Sequence, residues 1–116
     1  RKIEASINNA KRFLEIQTEF GSFDKYIWNF VDNNVVKNHW NDVKEVPATS
    51  ELSDKVSKDL INRGFKFLGS TIIYAHLQAT GLINDHLVSC FKYLPLTWNE
   101  YFKLMSLLIR LVRKLL

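Results

Sequence analysis

The stretch that most restricts what this chain can become is RGFKFLGSTIIYAHLQATGLINDHLVSC, residues 63–90. Helical periodicity runs up to Gly64 and resumes at Ser70, so six residues, Gly64-Phe65-Lys66-Phe67-Leu68-Gly69, join two helices. Gly64 stands where a left-handed residue stops a helix. Ser70 stands where a hydroxyl caps the next one. Such a loop can bury Phe65 or Leu68 between the helices while turning its backbone N–H groups outward. The second helix begins at once, so its unsatisfied N–H groups and positive dipole end point the same way. A phosphate suits that arrangement, with the Ser70 and Thr71 hydroxyls and the Lys66 and Arg63 charges nearby. The plainer alternative is a helical hairpin whose glycines serve only as caps.

The rest of the chain reads as helix too. Ile3, Ile7, Ala10 and Leu14 recur at helical spacing beside Phe13, which predicts an amphipathic opening helix ended by Gly21. Ser22 can cap a second helix through Tyr26, Ile27, Phe30 and Val31. Asp32-Asn33-Asn34 is a turn cluster. Residues 35–47 have no clean period and read as a long connection, anchored by Trp40. Thr49, Ser50 and Ser53 are all capable caps for a third helix with Leu52, Val56 and Leu60 along one side. A fourth helix runs from Ser70 through Ala79 and is closed by Gly81. Asn84 or Asp85 caps a fifth, ending near Leu94-Pro95. No convincing period-2 strand is present. The fold class expected is all-α.

Residues 99–116 are a different text. Lys103, Ser106, Arg110, Arg113 and Lys114 form a narrow polar stripe in an otherwise apolar helix. A terminal helix packed on the core is one reading, and a membrane-surface or partner-binding helix is the other.

Composition narrows the function classes. At 116 residues, one compact domain is expected. A hydrophobic content of 47% argues against disorder. The net charge of +4 favours polyanionic partners without proving one. A single cysteine excludes an intramolecular disulfide and fits a reducing, cytoplasmic compartment. No signal peptide is legible at the start, and charges interrupt every apolar run well before the ~20 residues of a membrane span. Arg1 stands in helical text with no cap before it, so the sequence reads as cut from something longer.

His86 and Cys90 form the other chemical candidate. Spacing of i, i+4 places both on one face of a helix, at a separation that one metal ion can bridge. Imidazole plus thiolate suits zinc, yet structural zinc takes four ligands and there is no second cysteine. A buried histidine and an inert cysteine are the competing reading. His39 and His76 could complete a shell, although nothing in their spacing supports it. No nucleophile–base constellation stands out, and Asp85 beside Asn84 is most simply a helix cap.

The run from Gly64 to Cys90 is similar, nearly position for position, to the signature region of the type I DNA-3-methyladenine glycosylases. FDKYIWNFVDNN (23–34), EVPATSELSDKVSKDL (45–60) and FKY (91–93) extend the resemblance, so residues 1–93 are identified as the C-terminal portion of such a domain. Residues 94–116 match nothing in it and form a divergent, basic amphipathic tail. The resemblance implies a helix-hairpin-helix fold truncated at its N-terminus, with Arg63, Gly64, Lys66, Gly69, Ser70 and Thr71 on DNA. It also implies that His86 and Cys90 are two of four zinc ligands. The other two, with the family's pocket carboxylate and stacking aromatics, belong to an N-terminal segment this sequence lacks.

In the wider superfamily a catalytic Asp stands two residues before a histidine like His86. Asn84 occupies that position here, so no catalytic residue is assigned to this chain. The function implied is base-excision repair: hydrolysis of the N-glycosidic bond of 3-methyladenine in alkylated double-stranded DNA. A monomer is expected, and the 116-residue chain alone is expected to be weakly active or inactive. A non-catalytic DNA-binding module of the same fold is the alternative.

Overall fold

The computed structural model describes residues 1–93 and 98–115, the side chains of 98–104 excepted. Within them the chain is mainly helical. The elements are α1 (Lys2–Phe20), α2 (Phe23–Asn29), β1 (Val36–Lys37), a short 3₁₀ turn (Val43–Glu45), α3 (Glu51–Asn62), α4 (Ser70–Ala79), β2 (Ile83–Asn84) and α5 (Trp98–Leu115).

Local chemistry accounts for most boundaries. Gly21 ends α1 at φ +88°, donating its N–H to the Gln17 carbonyl, and the Ser22 hydroxyl then accepts the Lys25 N–H to start α2. Ser50 caps α3 reciprocally: its Oγ accepts the Ser53 N–H at 3.2 Å, while Ser53 Oγ accepts the Ser50 N–H at 2.8 Å. Gly64 stops α3 at φ +93°, a left-handed conformation that a Cβ would strain, and a Cβ there would also meet Arg12 Nε at 3.0 Å. The sequence placed Ser70 at the cap of α4. Gly69 is the N-cap instead, Ser70 is the first helical residue, and its hydroxyl lies 2.7 Å from Ser53 Oγ, tying the starts of α3 and α4 together.

α3 packs on α4 and α1 on α2 around one core, in which Ile16, Val56, Leu60, Leu77 and Leu82 are almost fully buried. Tyr26, Ile27, Phe65, Ile73, Tyr74 and Ile83 complete the cluster. The stripe expected to define α1 does not enter it. Ile3, Ile7 and Leu14 are exposed, and Ala5 and Ile16 turn inward on the other side. Between α1 and the loop 64–69 lies an apolar groove of about 510 Å³, walled by Ala10, Phe13, Leu14, Phe65 and Leu68 among others.

Two further expectations fail. A parallel strand pair is present, β1 with β2 in the register Val36 to Ile83 and Lys37 to Asn84, extended by a bridge from Trp40 to Leu87. Two residues per strand are too few to produce a visible alternation. The expected fifth helix over 85–93 does not form: this segment is a bridge residue and successive turns. Its backbone is committed elsewhere, with the Asn38 N–H donated to Asn84 O at 3.2 Å and the Val88 N–H to Trp40 O at 2.9 Å. The supposed end of that helix at Leu94-Pro95 lies outside the described residues.

The tail does form a helix, α5, and its described side chains, 105–115, are exposed and not packed on the core. Among the described residues no helix is long and apolar enough to cross a membrane.

Candidate nucleic-acid interface and metal-ligating pair

Between α3 and α4 the six-residue loop is pinned from three sides. Phe65 is buried in the core, and Leu68 packs against it with its carbonyl accepting the Ser57 hydroxyl at 2.6 Å. Gly64 and Phe65 donate their N–H groups back to Ile61 O and Leu60 O. From α1, Asn8 Nδ2 donates to Gly64 O at 2.7 Å, and the Asn9 amide brackets Lys66, accepting its N–H at 2.8 Å and donating to its carbonyl at 2.9 Å. Thus the first half of the loop turns its N–H groups inward, against the sequence expectation.

The second half is less committed. Phe67 takes a left-handed φ of 61°, with its ring half exposed. From Phe67 through Ile72 no backbone N–H donates to a protein acceptor among the described residues. Six consecutive donors at a loop–helix junction, over the positive end of α4, are of the kind that attracts an anion. Gly69 sits within this run, where a Cβ would meet nothing within 4 Å. Lys66 and Thr71 are exposed beside it, and Ser70 is half-buried against Ser53.

Arg63 is engaged within the fold. Its Nη1 donates to Glu19 Oε2 and its Nε to Asp59 Oδ2, both at 2.8 Å, and its guanidinium lies over the Phe20 and Tyr26 rings. The Tyr26 hydroxyl donates to the same Asp59 oxygen at 2.6 Å. Burial pushes the Asp59 carboxyl up, but the bonds from Tyr26 and Arg63 outweigh it and hold it below the usual range. Arg63 therefore locks α1 and α2 to the end of α3, and Lys66 makes no ion pair among the described residues.

Asp85, set aside as a helix cap, is the most heavily bonded side chain in the region. Oδ1 accepts Asn38 Nδ2 at 2.7 Å and Trp40 Nε1 at 2.8 Å. Oδ2 accepts Gln78 Nε2 at 2.8 Å and the Tyr74 hydroxyl. Burial alone would raise its pKa, yet the bonds from Asn38, Tyr74, Trp40 and Gln78 bring it below the usual carboxylate value. The Tyr74 hydroxyl is correspondingly pushed up, by burial and by the Asp85 carboxylate. A carboxylate saturated by four donors holds the 35–47 connection onto α4 and has no lone pair to spare as a base.

The turn that Asp85 anchors also brings His86 and Cys90 together. Asn84 Oδ1 accepts the His86 N–H at 3.1 Å, and Cys90 Sγ lies 3.9 Å from His86 Nδ1. The helix expected to align them is absent, but the pairing survives through turns. A tetrahedral zinc holding one thiolate and one imidazole sets the two donor atoms roughly 3.6 Å apart. The pair fits half of such a site. Among the described residues no group of three or more His, Cys, Asp or Glu comes together. His39 lies instead against the Tyr93 hydroxyl, and His76 edges onto Phe23.

Residues 1–93 match the family profile described as methyladenine glycosylase. The chain is 40% identical over 92 residues to DNA-3-methyladenine glycosylase 1 of Escherichia coli strain K12, covering 79% of this chain and 49% of that protein. It is also 40% identical over 89 residues to the DNA-3-methyladenine glycosylase of Haemophilus influenzae, covering 77% and 48%. Among solved structures, 3-methyladenine DNA glycosylase I of Staphylococcus aureus superimposes with a TM-score of 0.74 at 33% identity, covering 79% of this chain and 49% of that one. The chain thus spans about half the length of these relatives.

Proposed function

Because the chain belongs to the methyladenine glycosylase family, we propose that it is the DNA-gripping portion of an enzyme that excises 3-methyladenine from alkylated double-stranded DNA. The loop 64–69 with its flanking helices acts as a helix-hairpin-helix clamp on the phosphate backbone. The observation that carries this reading is the run of N–H groups from Phe67 to Ile72 with no acceptor among the described residues, with exposed Lys66 beside it. Such a surface grips phosphate without reading sequence.

The chemistry suits a clamp of this kind. Methylation at N3 makes adenine cationic, so the glycosidic bond is already weakened and strong acid catalysis is unnecessary. The enzyme has to extrude the nucleotide, hold the base against π faces and a carboxylate, and admit water at the sugar. This chain supplies the grip. Asp85, one residue past the position where the wider superfamily carries its catalytic Asp, has its oxygens filled by four donors. That saturation favours a second reading for the chain on its own, a DNA-binding module without turnover. His86 and Cys90 would hold zinc as two of four ligands, and the metal would serve to fix the 85–93 turn to a neighbouring segment.

Fluorescence anisotropy on duplex DNA at several salt concentrations tests the grip. Affinity should fall steeply as salt rises, because bound Lys and Arg release counterions. Lys66→Glu should weaken binding to all sequences and flatten the salt slope by about one. Gly69→Leu, whose Cβ would meet nothing within 4 Å, should weaken it by covering the N–H groups. Salt-independent affinity, or none lost in either variant, rules the loop out as the contact. With alkylated duplex as substrate, the chain should release little or no free 3-methyladenine. Robust release would place a catalytic group within these residues.

A further inference from the structure

We propose that Asn9 of α1 is the positioning residue of the loop 64–69, fixing the peptide of Lys66 so that the N–H groups after it face a phosphate. The inference rests on the reading of that loop as a DNA clamp and adds the group that holds it in shape.

Asn9 Oδ1 accepts the Lys66 N–H at 2.8 Å while Asn9 Nδ2 donates to the Lys66 carbonyl at 2.9 Å. One side-chain amide therefore bonds both ends of one residue's backbone, as a neighbouring strand would, across 57 positions of sequence. Asn8 reinforces it from the next position, donating to Gly64 O at 2.7 Å. Immediately after the bracketed residue comes Phe67 at φ 61°, a conformation that a residue with a Cβ disfavours. A six-residue loop with a left-handed Phe at its crest does not hold that shape by local preference alone. With the Lys66 carbonyl fixed, the Phe67 N–H of the same planar peptide unit is oriented too, and it is the first of the six with no protein acceptor among the described residues.

Only an amide can do this. Aspartate keeps the acceptor but sets a negative charge against the Lys66 carbonyl and toward the phosphate; alanine keeps neither bond; glutamine keeps both groups on a stem one methylene longer. Asn9 itself carries no charge, so its contribution to binding is geometric.

Hydrogen exchange and salt-dependent duplex binding, read together on the full chain, separate this role from the clamp itself. In Asn9→Ala the Lys66 amide should exchange about tenfold faster, the loss of roughly one hydrogen bond. Duplex affinity should drop several-fold while the slope of affinity against salt stays as in wild type, because every cation is still present. Lys66→Glu, by contrast, should lower both affinity and slope. Wild-type affinity in Asn9→Ala beside an impaired Lys66→Glu overturns the positioning role and leaves the clamp standing. Absence of salt-dependent binding in the wild-type chain overturns the clamp, and the positioning role falls with it. Should Asn9→Ala fail to fold, Asn9→Gln decides: Lys66 protection and affinity should recover together, and recovery of one without the other overturns the proposal.

Discussion

Asp85 shows how one side chain can hold a fold's least regular part. Its two oxygens gather donors from Asn38 and Trp40 in the long connection and from Tyr74 and Gln78 on α4. Replacing it with Asn removes one charged acceptor and presents an NH₂ to groups that already donate. Each buried donor left unpaired costs roughly 1–3 kcal/mol, so Asp85→Asn should destabilise the chain by about 2 kcal/mol or more at neutral pH. The pH dependence follows from the depressed pKa. Its stabilisation is present above the unfolded value, about 3.9, and is lost as pH falls through the folded value. Asp59 shifts the same way, so the variant should lose part of the acid sensitivity and retain the rest. Urea unfolding of both proteins at pH 7 and near pH 3 measures this; an equal gap at the two pH values would mean that the Asp85 charge plays no part.

At the scale of elements, what was legible in the sequence tracks how local its cause is. The ends of α1, α2 and α3 are set by Gly21, Ser22, Ser50 and Gly64, each acting within a turn of itself, and the sequence points to each, to Ser50 as one of three capable caps beside Thr49 and Ser53. The Gly-bounded loop was legible for the same reason. The β1–β2 pair and the turns of 85–93 were not, because their bonds reach back more than 40 residues, to Val36, Asn38 and Trp40. The Asn9 bracket on Lys66 was equally invisible, since nothing near an asparagine in mid-helix announces a partner 57 residues away. His86 and Cys90 were legible as a pair, for a partly wrong reason: turns, not a helix, bring them together. Their half-site makes a quantitative expectation. Among the described residues one chain brings two such donors together, so zinc should bind weakly, and more tightly as chain concentration rises and two molecules share an ion. Zinc titration with sedimentation measures this, and Cys90→Ser should abolish it. Tight binding at one ion per monomer would mean that further ligands come from this same chain.

Among the described residues, the apolar faces of α1 and α5 lie outside the core. On α5, Met105, Leu107, Leu108, Ile109, Leu111, Val112 and Leu115 are exposed around a stripe of Arg110, Arg113 and Lys114. On α1, Ile3, Ile7 and Leu14 are exposed along the stripe whose period first marked the helix. Periodicity reports that a helix has an apolar side; it does not say whether this chain covers it. The distinction is measurable. Leu77 is fully buried, and Leu77→Ala should cost about 2–5 kcal/mol through lost transfer energy and the cavity left behind. Leu14 is 61% exposed, and Leu14→Gln should change stability by no more than about 0.5 kcal/mol while making the chain more soluble. Denaturant midpoints for the two variants, taken at unchanged m-value, compare them directly. If Leu14→Gln cost as much as Leu77→Ala, the α1 stripe would be core, and the groove it forms with Phe65 and Leu68 would be filled from within the chain. If only Leu77→Ala is costly, the α1 stripe is a surface, and covering it adds stability only when another segment or molecule is supplied.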